Sequence, residues 1–216
     1  MKAYRYLPKQ FAKLAVEQGV LRLSTSAAVA RLESGLADTM DCAVEMRGNL
    51  HVANPFDGSK EAQLLRRLIT IEGSAGRVEN ISLVNTTFRT QSRSWLLCCT
   101  SRADNSYLLR ESPGNDAVIE IADMEQLAIR LTEAHSALRD CVRAPVAPGR
   151  TRFAIGRVEY AQRRLDRFED IEADPFIKEV RFSREEEIRA VWLPSAQIIE
   201  PLIVRAPAIR ELIRIV

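Results

Sequence analysis

The chain has 216 residues, 46% hydrophobic and 28% charged, proportions of an ordinary globular protein that exclude a disordered or fibrous class. Its 31 basic and 29 acidic groups leave a net charge of +2, so composition gives no argument for a surface that coats nucleic acid. This length suits one domain, residues 1–216, with a sizeable core.

Cys42, Cys98, Cys99 and Cys141 are scattered, and with His51 and His135 they make no zinc-ligand spacing. Buried free thiols are expected rather than a metal. The start, Met1 to Tyr6, lacks the apolar core of a signal peptide, and no run approaches the roughly 18 apolar residues of a membrane span. A cytoplasmic protein without a membrane partner is the expectation.

In chain order, Tyr4-Arg5-Tyr6-Leu7 reads as a short strand entering Pro8, which can open a helix. That helix runs from about Lys9 to Gln18, with Phe11, Leu14 and Ala15 on one face and Gly19 as its stop. Val20 to Leu23 alternates as a strand leading into Ser24-Thr25-Ser26 and a short Ala-rich helix ending near Gly35. Ala37 to Asp41 reads as a loop, Asn54-Pro55-Phe56-Asp57-Gly58 as a turn, and Lys60 to Thr70 as a helix with Leu64, Leu65 and Leu68 inward. Gly73 and Gly76 bracket another turn.

Trp95 to Thr100 is a continuous apolar run of strand length, expected to be central and covered on both faces. If so, Cys98 and Cys99 point opposite ways. Pro113 to Asp116 is a turn before a strand at Ala117 to Ile121. Asp123 caps the clearest helix, with Met124, Leu127, Leu131, His135 and Leu138 at intervals of three and four, and His135 reads as a core-edge residue. Val142 to Gly149 is a loop, Arg152 to Tyr160 a strand, and the charged stretch Gln162 to Asp174 a solvated face. Pro201 to Val204 is a strand, Pro207 to Leu212 a helix, and the apolar end Ile213 to Val216 is expected to pack or pair. Strands and helices mixed in this order predict an α+β fold, with mixed or antiparallel central sheets and peripheral helices.

Ser183 to Trp192 carries the most chemistry. As a strand it puts Glu185, Glu187 and Arg189 on one face, about 7 Å apart at each step. Two carboxylates facing the same way can hold a sugar hydroxyl and stabilise the oxocarbenium-like carbon formed as a glycosidic bond breaks. The same residues also fit an amphipathic helix, with Ser183 and Glu186 spaced as a capping box, Glu185 and Arg189 at i and i+4, and Ile188, Val191 and Trp192 in a stripe. Both remain open here.

Arg5, Ser24-Thr25-Ser26 and Glu185-x-Glu187 stand in this order along the chain. An arginine, a Ser-Thr-Ser and a Glu-x-Glu so arranged resemble the signature of the ADP-ribosyltransferase fold. The chain also resembles a large bacterial family that begins Lys-Tyr-Arg, continues with a strand running into Ser-Ser-Pro and an Asn-Asp-Pro-Phe loop, and ends with Glu-x-Glu-x-Arg. The counterparts here are Tyr4-Arg5-Tyr6, Leu21 to Ser26, Ala37 to Asp41, and Glu185 to Arg189.

The resemblance implies transfer of ADP-ribose from NAD to an unknown acceptor, a protein, nucleic acid or small molecule, by a toxin or phage-defence effector. It implies that Arg5, with Tyr4 beside it, holds the NAD diphosphate or a ribose hydroxyl, and that Ser24 with Thr25 or Ser26 braces the nicotinamide and orients Glu187. Glu187 would bind the ribose 2′-hydroxyl and stabilise the departing positive charge; Glu185 would position or deprotonate the acceptor. Read without the resemblance, Arg5 also suits a sheet-edge ion pair and Ser24 a helix N-cap. Hydrolysis of NAD at the same site, and binding without catalysis, are the alternative functions.

Overall fold

The computed structural model describes residues 1–26, 28, 43–69, 80–91, 95–102, 114–142, 152–162, 164–165 and 174–216. The chain has a mixed α+β fold with mostly antiparallel sheets, and its contacts divide it into two compact units. The first comprises Met1–Cys42, Ser92–Ala161 and Pro175–Val216; the second comprises Ala43–Gln91 and Gln162–Asp174.

The first unit is built on an eight-stranded sheet. Its centre is β5 (Leu96–Ser101), the apolar run, which pairs along its whole length with β11 (Glu187–Trp192). Beyond β11 lies β7 (Phe153–Arg157). The other edge of β5 is shared: β2 (Val20–Thr25) pairs at Leu96 and Leu97, while β1 (Ala3–Leu7) pairs at Ser101. Two arms of the sheet therefore leave β5 from opposite ends. One continues from β2 to β12 (Leu202–Arg205), the other from β1 through β6 (Ala117–Ile121) to β13 (Ile213–Ile215). The apolar C-terminal segment thus pairs as an edge strand.

The two faces of this sheet differ. Residues of one parity, among them Leu96, Cys98, Ile188, Ala190 and Trp192, join the main core. Against them pack α1 (Lys9–Gln18), through Ala12 and Ala15, and α3 (Met124–Ala134), through Leu127, Ala128 and Leu131. The other parity carries a smaller cluster in which Leu97 and Val191 meet Trp95, Cys99 and Phe176. Cys98 and Cys99 do point opposite ways, and Cys98 and Cys141 are buried free thiols.

Local chemistry explains the boundaries of the helices. Pro8 opens α1 and Gly19, at φ +67°, closes it in the left-handed conformation that glycine adopts without steric cost. Asp123 accepts the Glu125 N–H (2.9 Å) at the start of α3. The predicted stripe from Met124 to Leu138 is broken at His135, whose ring Nδ1 instead accepts the Ala137 N–H (3.2 Å) and starts a four-residue α4 (Ser136–Arg139). Trp192 Nε1 donates to Thr132 Oγ1 (2.9 Å), tying α3 to β11.

The second unit holds α2 (Lys60–Leu68), capped by Ser59, against the antiparallel pair of β3 (Ala43–Val52) and β4 (Ile81–Gln91), which it connects in sequence. Leu50, Val52, Ala62 and Leu65 form its core, so Leu65 is the predicted inward leucine that is fully buried. A bulge between Gly48 and Leu50 interrupts the pairing, with the Asn85 N–H donating to Asn49 Oδ1 (2.8 Å). Neither of these long strands is among the elements that the sequence pattern predicts. The two-residue β9 (Arg164–Leu165) runs parallel to β3. The predicted loop at 37–41, the turn at 73–76, most of the helix before Gly35 and most of the charged stretch 162–174 lie outside the described residues.

Candidate functional site

The Glu-x-Glu segment adopts a form that combines parts of both sequence readings. Val180–Glu185 is a 3-10 helix, Glu186 turns the chain at φ +42°, and the strand begins at Glu187. Of the three residues that the strand reading puts on one face, only Glu187 and Arg189 belong to the strand; Glu185 ends the 3-10 helix before it, which corrects that reading. The two carboxylates converge by another route. Lys178 Nζ, from the two-residue β10 (Ile177–Lys178), lies 2.6 Å from Glu185 Oε2 and 3.1 Å from Glu187 Oε2.

Arg189, two residues on along β11, completes the group. Its Nε lies 2.7 Å from Glu187 Oε1 and its Nη2 3.1 Å from Glu187 Oε2, and its Nη1 donates to the Pro175 carbonyl. Arg189 is 0% exposed and Glu187 5%, so a charged pair lies inside the protein. The backbone fixes it further: the Glu187 N–H donates to the Tyr160 hydroxyl (2.8 Å), from β8 (Glu159–Tyr160), and the Val158 N–H donates to the Glu187 carbonyl (2.9 Å). Opposite Arg189 the sheet carries Gly156, where an added Cβ would stand 3.0 Å from the Phe176 ring. The small residue lets Phe176 lie over the sheet.

Electrostatics separates the two carboxylates. Burial alone would raise the Glu187 pKa, but the Arg189 and Lys178 charges overcome it and hold this carboxyl well below the usual range. At Glu185 burial dominates and raises the pKa, with the neighbouring Glu187 charge adding to it and Lys178 opposing it. Tyr160 is also raised, chiefly by burial. Glu187 is thus a fixed, compensated anion, and Glu185 is the carboxyl closer to exchanging a proton.

Cross-strand pairing decides which other predicted residues belong to this place. Ser101 is opposite Glu187 on one side and opposite Tyr4 on the other, so Tyr4, Ser101 and Glu187 form one row on one face. Arg5, one residue from Tyr4, lies on the opposite face. Its guanidinium donates to the Arg22 carbonyl (2.6 Å) and reaches Cys98 Sγ (3.5 Å) in the main core. The period of two that puts Tyr4 in the row of Ser101 and Glu187 necessarily turns Arg5 away.

Ser24 shares the face of Glu187 but is opposite Leu97, four residues along β5 from Ser101, about 13 Å at ~3.3 Å per residue. That distance is too great for a hydrogen bond that would orient Glu187. Thr25 and Ser26, both 0% exposed, are used by the backbone. Thr25 Oγ1 donates to the Ile199 carbonyl (2.6 Å) and accepts the Ala28 N–H (2.9 Å), so Thr25, rather than Ser24, caps the segment that follows. Ser26 exchanges bonds with Trp95 through its N–H (3.0 Å) and its Oγ (3.2 Å).

Three members of the group escaped sequence analysis: Lys178, Ser101 and Tyr160. The sequence placed Tyr160 at the end of a predicted strand and Ser101 in a polar loop just after the apolar run, where the structure instead makes it the last residue of β5. Among the described residues no cluster of His, Cys, Asp and Glu suits a metal ion, and no helix is long and apolar enough to cross a membrane. Comparison with protein-family models, curated sequences and solved structures finds no match to the chain.

Proposed function

We propose that the chain breaks the N-glycosidic bond of NAD and transfers ADP-ribose to an acceptor, with Glu185 as the carboxyl that meets the reacting groups. The observation that supports this most directly is the Lys178 ammonium held between two carboxylates of opposite character. Glu187, paired with Arg189, anchors Lys178; Glu185 contacts Lys178 through Oε2 and has its pKa raised by burial. A carboxylate whose pKa is raised by burial is a stronger base than an exposed one and is suited to take a proton from an acceptor hydroxyl or from water. The order of Tyr4-Arg5, Ser24-Thr25-Ser26 and Glu185-x-Glu187 supplies the choice of NAD, by resemblance alone. Arg5 would then serve the fold rather than the diphosphate.

The test is nicotinamide release from NAD by the wild type and by Glu185→Gln, each with and without cell lysate. Release by the wild type that rises with lysate and is lost in the variant supports transfer. Release independent of lysate identifies water as the acceptor and the activity as NAD hydrolysis. Growth arrest on expression in bacteria, relieved by Glu185→Gln, is expected of a toxin or defence effector that consumes NAD.

A second reading, binding without catalysis, is favoured by one specific feature. Among the described residues the charges of Glu185 and Glu187 are matched by those of Lys178 and Arg189, so these four side chains together bring no net negative charge to an oxocarbenium-like carbon. Absence of nicotinamide release under every condition, with nucleotide binding retained, selects this reading.

A further inference from the structure

Ser101 poses a chemical problem that the fold does not resolve. The residue is 2% exposed, yet its Oγ has no hydrogen-bond partner among the described residues. Leaving a buried hydroxyl unpaired costs about 1–3 kcal/mol, and alanine at the same place would avoid that cost. Thr100, next to it on the other face, shows the usual solution: its hydroxyl donates to the Ile188 carbonyl (2.9 Å). The strand is therefore able to pair a buried hydroxyl, and at Ser101 it does not.

The neighbours of Ser101 explain why no protein group takes the bond. In its row stand Tyr4 and Glu187, and both oxygens of Glu187 are already engaged by Arg189 and Lys178. Around the same carboxylate, the Tyr160 hydroxyl accepts the Glu187 N–H and so keeps its own proton to donate. Glu185 bonds Lys178 through Oε2, which leaves Oε1 as an acceptor. The group thus offers the Ser101 hydroxyl, which can give or take a hydrogen bond, the Tyr160 hydroxyl, which can give one, and one carboxylate oxygen that can take one. A vicinal diol complements such a set, because each of its hydroxyls both donates and accepts.

We propose that Ser101 is a ligand-contacting residue, and that together with Glu185 and Tyr160 it binds the ribose diol of a nucleotide. The nucleotide, and with it ADP-ribose as probe, rests on the reading above; the diol is argued from Ser101, Glu185 and Tyr160 themselves. It assigns the unpaired hydroxyl a partner, and it makes the site selective for ribose over 2-deoxyribose. A site built to bond a hydroxyl discriminates against the analogue lacking it, because the buried group is then left unpaired.

The experiment is calorimetric titration of the full chain with ADP-ribose and with its analogue lacking the 2-hydroxyl of the terminal ribose, for wild type, Ser101→Ala and Ser101→Thr. Wild type is expected to prefer ADP-ribose about tenfold or more, Ser101→Ala to lose that preference, and Ser101→Thr, which keeps a hydroxyl, to retain part of it. Thermal unfolding of the ligand-free proteins supplies a readout independent of binding: Ser101→Ala is expected to be at least as stable as wild type.

Failure of wild type to bind ADP-ribose, or an unchanged preference in Ser101→Ala, overturns the assignment. A marked loss of stability in Ser101→Ala also overturns it, since the hydroxyl would then serve the fold. Diol selectivity at Ser101 without nicotinamide release leaves the assignment standing while the catalytic reading falls. Nicotinamide release with unchanged preference in Ser101→Ala does the reverse.

Discussion

Arg189 meets Glu187 through two nitrogens, Nε to Oε1 at 2.7 Å and Nη2 to Oε2 at 3.1 Å, from a position two residues along the same strand. Such a fork is the strong form of a carboxylate–guanidinium contact, and here it is almost wholly out of water. Breaking a buried pair by removing one partner is costly because the other charge is left uncompensated. Glu187→Gln therefore cannot be a silent probe of chemistry. It is expected to lose about 3–5 kcal/mol of stability at pH 7, read as a fall in the urea midpoint.

The same pair fixes a pH dependence. Glu187 has its pKa lowered in the folded state from an ordinary 4.5, so the stability it contributes is fully present above 4.5 and is lost as pH falls toward the folded value. Wild type should lose stability steeply below about pH 4.5, and Glu187→Gln should show a shallower acid limb. Parallel slopes for the two proteins in urea titrations from pH 6 to pH 3 would contradict the assignment.

Glu185 has the opposite sign. Its pKa is raised on folding, so its ionised form opposes folding at neutral pH, and that opposition is relieved as pH falls through the folded value toward 4.5. Glu185→Gln is expected to be no less stable than wild type at pH 7, with any gain shrinking as pH approaches 4.5. A loss above about 1 kcal/mol at pH 7 would show that its contact with Lys178 outweighs burial.

Gly19 ends α1 at φ +67°, and a Cβ built there would lie 2.4 Å from the Ala206 carbonyl oxygen, a backbone atom that cannot swing aside. The Ala206 N–H also donates to the Gly19 carbonyl (2.8 Å). Gly19→Ala should cost clearly more than the ~1 kcal/mol of a left-handed residue alone, measured as a fall in Tm.

Asp123 carries two contacts at the start of α3, the Glu125 N–H at 2.9 Å and the chain's terminal ammonium at 3.0 Å. The ion pair is well exposed and worth little, so the cap dominates. Asp123→Ala is expected to cost about 1 kcal/mol in chemical denaturation, and Asp123→Asn, which can still cap, distinctly less.

What could be read from the sequence were elements whose causes are local. Pro8 and Gly19 bound α1, Asp123 caps α3, and the apolar run at Trp95 to Thr100 forms a strand buried on both sides. Each follows from dihedral preference or from side-chain period within a few residues. The break at His135 and the two strands of the β3–β4 pair did not, because a ring capping a backbone N–H and a pairing across some 40 residues are choices among local options of similar energy.

The site divides the same way. Glu187 and Arg189 on one face of a strand follow from a period of two, which any reader of the sequence can apply once the strand is granted. Tertiary structure alone decided that Lys178 would draw Glu185 and Glu187 together, that Ser101 would stand in their row, and that Arg5 would face the core instead. The reason is register: sliding one strand by a single residue exchanges its two faces, and register is set by the sum of packing over the whole sheet rather than by any motif.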